Sequence, residues 1–160
     1  MFKINRRVEY ALISLKYMSS KAPGQLTSAK EICTVYGVPF DPTSRVLQIM
    51  AQKEIIRAEQ GAYGGYQVIK DLSKINLGQL TEMIIGPVEI ANCIHGNYSH
   101  CEITSSCSVI GPMLTLNEKI MQLFTSISLL DLIQSKHSGV KLLQRTKTKE
   151  KFKRDRGSRS

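Results

Sequence analysis

Along this chain the apolar positions change period several times, and each change marks an element. In residues 4–20, Val8, Ala11, Leu12, Leu15 and Met18 recur at spacings of three and four, which places them on one face of a helix. Arg6, Arg7 and Glu9 fall in its first turn, and Lys21-Ala22-Pro23-Gly24 supplies breakers after it. Ser28-Ala29-Lys30-Glu31 has the form of a capping box and opens a short second helix through Ala29, Ile32, Cys33 and Val35, ended by Gly37. Asp41-Pro42 reads as an N-cap followed by proline at the first helical position. The third helix runs on for about twelve residues, with Val46, Leu47, Ile49 and Met50 as its buried face. Strand-like segments follow at Ile55–Gln60 and Tyr66–Ile69, joined by the glycine-rich turn Gly61-Ala62-Tyr63-Gly64-Gly65. Residues 77–85 are helical again, up to Gly86-Pro87. The last pattern predicts one 27-residue helix over residues 109–135. Met113, Leu116, Ile120, Leu123, Ile127 and Leu130 form its heptad-like seam, and Leu114, Met121, Phe124, Leu129 and Ile133 make it apolar on further faces.

Taken in order, these elements predict a mainly α fold with a small β-hairpin wing: a winged helix-turn-helix followed by a long dimerisation helix. The glycines of the wing allow close approach of the backbone to a phosphate chain. The final helix is more apolar than one small domain can cover, so a homodimer along it is expected. The expected division is residues 1–86 for DNA binding, 87–140 for a loop and the dimerisation helix, and 141–160 for a basic tail. No internal repeat is present. No apolar run reaches the eighteen or so residues of a membrane span, and the N-terminus lacks the form of a signal peptide. A cytoplasmic protein with no membrane partner is the expectation.

Charge sharpens this picture once it is divided. The formal net charge is +9 over 160 residues, but residues 141–160 alone hold nine Lys/Arg against Glu150 and Asp155. Such a tail reads as a disordered, solvated segment able to add sequence-blind phosphate contacts. The remainder is close to balanced. Sequence readout is therefore expected from the exposed start of the third helix, which presents Thr43, Ser44 and Arg45, with Gln48 one turn on. Arginine reads guanine in the major groove and Ser or Thr contacts several bases; a merely solvated helix face is the plain alternative. Tyr63 at the wing tip is a candidate for sugar or phosphate contact. No nucleophile–base pair and no phosphate-binding Gly-Lys motif occurs, so an enzyme is not expected.

Three of the four cysteines lie within fifteen residues, Cys93, Cys101 and Cys107, on a polar loop with neither helical nor strand periodicity. Packing does not explain them there, whereas three thiolates on one loop can converge on a soft metal centre. In a reducing compartment clustered cysteines favour metal or redox chemistry over disulfides. An iron–sulfur cluster is the leading reading. A structural zinc site completed by His95 or His100, or free thiols, is the alternative. Cys33 belongs to the second helix and reads as a small core residue, and His137 as an ordinary residue after the last helix.

Three features occur together: Glu9-Tyr10-Ala11-Leu12 in the first helix, Gly61-x-x-Gly64-Gly65-Tyr66 in the wing, and the three-cysteine loop ahead of a long helix. In these the chain resembles the Rrf2 family of bacterial winged-helix transcription regulators, over residues 1–135. The resemblance implies a dimer that binds a palindromic operator and senses redox state, iron or nitric oxide through a cluster on Cys93, Cys101 and Cys107. Some members take a fourth ligand from a His three residues after the last cysteine, where this chain has Ile110. Others use an acidic residue before a Tyr/Leu-Ala-Leu sequence, reached from the partner subunit, and here that residue is Glu9. A carboxylate is a hard, labile ligand, suited to a centre that must respond. His100 and His95 compete for the role. Three cysteines and one carboxylate favour a 4Fe-4S over a 2Fe-2S cluster. The wing position that carries an Arg in some members is Gln60, so their operator preference does not transfer.

Overall fold

The structure is a computed structural model that describes residues 3–61, 63–91 and 106–134. Cys93, Cys101, His95, His100, His137 and the basic tail 141–160 lie outside the described residues.

The first helix, α1 (Arg6–Ser19), starts where Asn5 accepts a hydrogen bond from the Arg7 N–H at 2.9 Å. Of the stripe its spacing predicts, Val8, Ala11, Leu15 and Met18 are buried and Leu12 is half-buried at its margin. In α2 (Ala29–Tyr36) Ser28 caps the Glu31 N–H at 3.1 Å, and Gly37 ends the helix in the left-handed region at φ 63°. The capping box is only half made. The Glu31 carboxylate turns instead to the Tyr17 hydroxyl and the Lys21 ammonium, both at 2.7 Å, and clamps α2 to the end of α1. Only Ile32 is fully buried in α2; Cys33 is half-buried, and Val35, expected inside, is 55% exposed. An eight-residue helix has room for one anchored turn, and Val35 lies beyond it.

Helix α3 (Phe40–Gln52) begins earlier than Asp41-Pro42 predicts, because Pro39 takes the extended cap position and no side chain caps it. Its inward stripe is Thr43, Val46, Leu47 and Met50, with Ile49 at the margin. A turn through Glu54, a non-glycine residue at φ 57°, leads into β1 (Ile56–Glu59). This strand pairs antiparallel with β2 (Gly65–Val68), Ile56 opposite Val68 and Glu59 opposite Gly65. A short 3-10 turn (Leu72–Lys74) then precedes α4 (Leu77–Ile85), whose capping box is complete: Asn76 and Gln79 exchange hydrogen bonds of 2.8 and 3.0 Å.

The expected 27-residue helix is two helices, α5 (Ile110–Ser126) and α6 (Leu129–Gln134). The chain is extended at Ile127 and bridges to the segment before α4, with Leu77 N–H donating to Ile127 O at 2.9 Å and Leu129 N–H to Ile75 O at 2.8 Å. Ser128 restarts the helix by accepting from the Asp131 N–H at 3.1 Å and donating to its carboxylate at 2.6 Å. The physical reason is burial. The break turns Leu129 and Ile133 back into the core, where a straight helix would carry them away from it. One core results, shared by α1, α3, α4 and α6, with Leu15, Leu47, Leu80 and Leu129 fully enclosed. Burying each such side chain stabilises the fold by about 1.5–3 kcal/mol relative to exposure.

Candidate nucleic-acid interface and the cysteine loop

The buried stripe of α3 leaves the opposite stripe to solvent. Asp41, Ser44, Arg45 and Gln48 stand at i, i+3, i+4 and i+7, and with Phe40, Pro42 and Arg7 of α1 they line one open groove. Asp41, Arg45 and Gln48 are exposed and Ser44 is half-exposed. Asp41 to Gln48 covers about 10 Å along the helix axis, close to the rise of three base pairs. A helix of this width and reach fits the major groove. Thr43 does not belong to this face, contrary to expectation. It is fully buried, and its hydroxyl donates to Pro39 O at 2.7 Å, because it stands one helical turn ahead of Val46 and Leu47 on the same inward stripe. Arg7, Phe40 and Asp41 were not expected at the interface. Arg7 reaches it only through the packing of α1 on α3, which no local pattern encodes; Phe40 and Asp41 follow from the shifted start.

In the wing, Gln60 is exposed and Tyr63 is 94% exposed, so both are free to meet a ligand. Gln67 donates to the Glu59 carboxylate at 2.8 Å and ties the strands together near the turn. The glycines serve the protein's own backbone more than a ligand's. A Cβ on Gly64 would overlap the Glu59 carbonyl, and one on Gly65 would sit 2.9 Å from the Thr27 backbone, to which Tyr66 bridges by two hydrogen bonds of 2.9 and 3.0 Å. The wing is thus held against the segment ahead of α2.

The family profile described as an iron-dependent transcriptional regulator, Rrf2, matches residues 4–135. The chain belongs to the Rrf2 family. It is 25% identical over 145 residues to the HTH-type transcriptional regulator NsrR of Bacillus subtilis (strain 168), covering 89% of this chain and 97% of that protein. The NsrR of Oceanobacillus iheyensis is 26% identical over 143 residues, covering 88% and 95%. Among solved structures, CymR (YrzC), the global cysteine regulator of B. subtilis, has a TM-score of 0.61 at 19% identity, with 83% of this chain and 97% of that one covered; this likeness shows the fold. This Rrf2 protein is a winged-helix DNA-binding transcriptional regulator and not an enzyme. No helix among the described residues is long and apolar enough to cross a membrane.

The two ends of the cysteine loop of this Rrf2 protein are defined. On the entering side, the Ile90 N–H donates to the Asn117 side chain at 3.4 Å, and Asn117 is nearly buried within α5. On the leaving side, Cys107 precedes α5 by three residues and carries a half-buried free thiol. Asn117 lies seven residues into α5, so the loop is anchored at two levels of one helix about 10 Å apart. Glu9, on α1, is paired with Arg6 at 2.8 Å; the Glu9 side chain is 39% exposed and that of Arg6 is 79% exposed. Among the described residues no three His, Cys, Asp or Glu side chains converge as a metal site.

The outer face of α5 carries Val109, Leu116 and Leu123 at seven-residue intervals, 54%, 46% and 57% exposed. Leu116 and Leu123 belong to the heptad-like seam, and this part of it stays largely uncovered within one chain. Met113, Ile120 and Phe124, with one edge of Leu116, line an apolar groove shared with Ile85, Val88 and the segment ahead of α1.

Proposed function

We propose that this regulator is a homodimer whose affinity for a palindromic operator follows an iron–sulfur centre held by Cys93, Cys101, Cys107 and Glu9 of the partner subunit. The observation that carries the reading is the position of Cys107. A free thiol closes the cysteine loop at the foot of the helix that bears the uncovered heptad stripe, and the other end of the loop is pinned to that same helix by Asn117. The donor set fits: three thiolates match a soft iron–sulfur centre, and among the described residues the carboxylate's ion-pair partner is an exposed arginine that water can replace. When bound, the centre supplies reversible redox and ligand-exchange chemistry, and a 4Fe-4S form suits three thiolates and one oxygen better than 2Fe-2S.

Each residue then has a task. The cysteines fix the loop to α5, and Glu9 joins that assembly to α1, which packs directly on α3. Loss of the Glu9 contact frees α1 and α3 to shift relative to the partner's pair. Two recognition helices must stand about 34–36 Å apart to enter successive major grooves, so a small shift changes affinity. Arg45, Ser44 and Gln48 read bases, while Gln60 and Tyr63 of the wing meet the backbone. The basic run 141–160 adds phosphate contacts and salt dependence. DNA binding is assigned to residues 1–86 and sensing with dimerisation to residues 87–140, a functional division, since α6 packs into the first segment's core. The reducing cytoplasm is the compartment in which such thiolates persist.

The test is anaerobic purification followed by iron and sulfide analysis and an absorption spectrum. Wild-type and Cys33→Ala proteins should be brown with matched iron and sulfide; Cys93→Ala, Cys101→Ala and Cys107→Ala should retain no stable cluster. A colourless wild-type protein carrying zinc would replace this reading with a structural zinc site.

A further inference from the structure

Phe40 is the first residue of α3 and is 52% exposed, an unusual fate for a phenylalanine with a core within one helical turn. It is absent from the core and from the partly buried residues packed against it. Helix initiation does not require it either, since Pro39 holds the cap position. Its ring instead lines the groove with Arg7, Asp41, Ser44, Arg45 and Gln48, the face that points to base edges when α3 enters the major groove. The uncovered stripe of α5 lies on another helix, and none of its residues lines the groove that holds Phe40.

We propose that Phe40 is a specificity-determining residue that packs on the 5-methyl group of a thymine in the operator half-site, beside the base pair read by Arg45. Phosphates offer an aromatic ring no apolar partner, and the C–H edge of a sugar lies outside the groove floor that this face of α3 meets and is the same at every base. On the major-groove edge the one protruding apolar group is the thymine methyl; the neighbouring N and O groups are donors or acceptors that a phenyl ring cannot satisfy, and cytosine C5–H offers no carbon to bury. The arginines at either side, Arg7 and Arg45, supply the attraction to the duplex that brings the ring into register. The inference rests on the placement of α3 in the major groove proposed above and adds the chemical identity of one base.

The experiment starts from duplexes that anaerobically purified full-length protein enriches from a random pool. In the enriched half-site each thymine is replaced in turn by deoxyuracil, which pairs identically and lacks only the methyl group. One position per half-site should weaken wild-type binding about fourfold, and about fifteen-fold when both half-sites are changed, the effect expected of one buried methyl group each. Phe40→Ala, which removes an exposed side chain and keeps the fold by circular dichroism, should bind the thymine and deoxyuracil duplexes equally. Phe40→Leu should restore part of the discrimination. Wild-type protein indifferent to deoxyuracil at every position would overturn the assignment, as would Phe40→Ala retaining the full discrimination. If wild-type protein enriches no duplex at all, the proposed function fails and this assignment with it.

Discussion

Replacing Leu129 with alanine separates the two-helix arrangement from the single straight helix that the sequence pattern predicts. Leu129 is completely enclosed at the start of α6, and its own N–H bonds to Ile75 O at 2.8 Å, so the surrounding backbone has little freedom to collapse into the space left behind. Leu→Ala at such sites costs about 2–5 kcal/mol, from lost transfer free energy plus the residual cavity, and about 3 kcal/mol is expected here. With a urea slope near 2 kcal/mol per molar, the unfolding midpoint should fall by roughly 1.5 M. Leu123→Ala is the control. Leu123 is 57% exposed on α5, so its loss should change fold stability by less than about 0.5 kcal/mol while weakening self-association. Urea unfolding of cluster-free protein in reducing buffer, repeated over a range of protein concentrations, distinguishes the two terms, because only association makes the midpoint concentration-dependent. A Leu129→Ala protein within about 0.5 kcal/mol of wild type would refute the return of α6 to the core.

Arg45→Ala should weaken operator binding by about 1–3 kcal/mol and relax preference at one base pair. By contrast Thr43→Val should leave base preference unchanged and lower stability by about 1 kcal/mol through the lost bond to Pro39; selection from a random pool beside a denaturation curve checks both. Glu9→Ala should assemble a cluster that decays faster under oxygen, with DNA binding that no longer follows cluster state, while Glu9→Cys slows the decay; wild-type decay in Glu9→Ala would move the fourth ligand to His100. The Glu31 carboxyl is held below its ordinary pKa by the Lys21 ammonium and then by the Tyr17 hydroxyl. Its contribution is therefore present above the ordinary carboxylate pKa of about 4.3 and is lost as pH falls through the lowered value. Glu31→Gln should be less stable than wild type at neutral pH by up to about 1 kcal/mol and converge with it in acid, read from thermal midpoints against pH.

The parts of the fold written in local periodicity were legible in the sequence. The stripe Val8, Ala11, Leu15 and Met18, the left-handed stop at Gly37 and the hairpin around Gly64-Gly65 follow from short-range rules that tertiary packing left intact. The break at Ile127–Ser128 was hidden because apolar residues continue through it; the signal present, Ser128-x-x-Asp131, is a capping pattern inside an apolar run. Thr43 was misplaced by a different route. Its spacing to Val46, Leu47 and Met50 puts it on the buried stripe, a signal overridden by reading Asp41-Pro42 as an exposed helix start, whereas helical geometry begins at Phe40. The recruitment of Arg7 to the same groove depends on how α1 crosses α3, a relation between segments distant in sequence.

Operator affinity is proposed to follow the state of a centre on Cys93, Cys101 and Cys107. Its most direct measurement is one titration of the pool-selected operator duplex performed twice at fixed salt, with anaerobically purified protein and with the same protein after cluster removal. The two affinities should differ by about 5–150-fold, the range of a coupling of 1–3 kcal/mol, and a Cys101→Ala protein should bind with the affinity of the cluster-free wild type. Equal affinities for the brown and the bleached protein would contradict it.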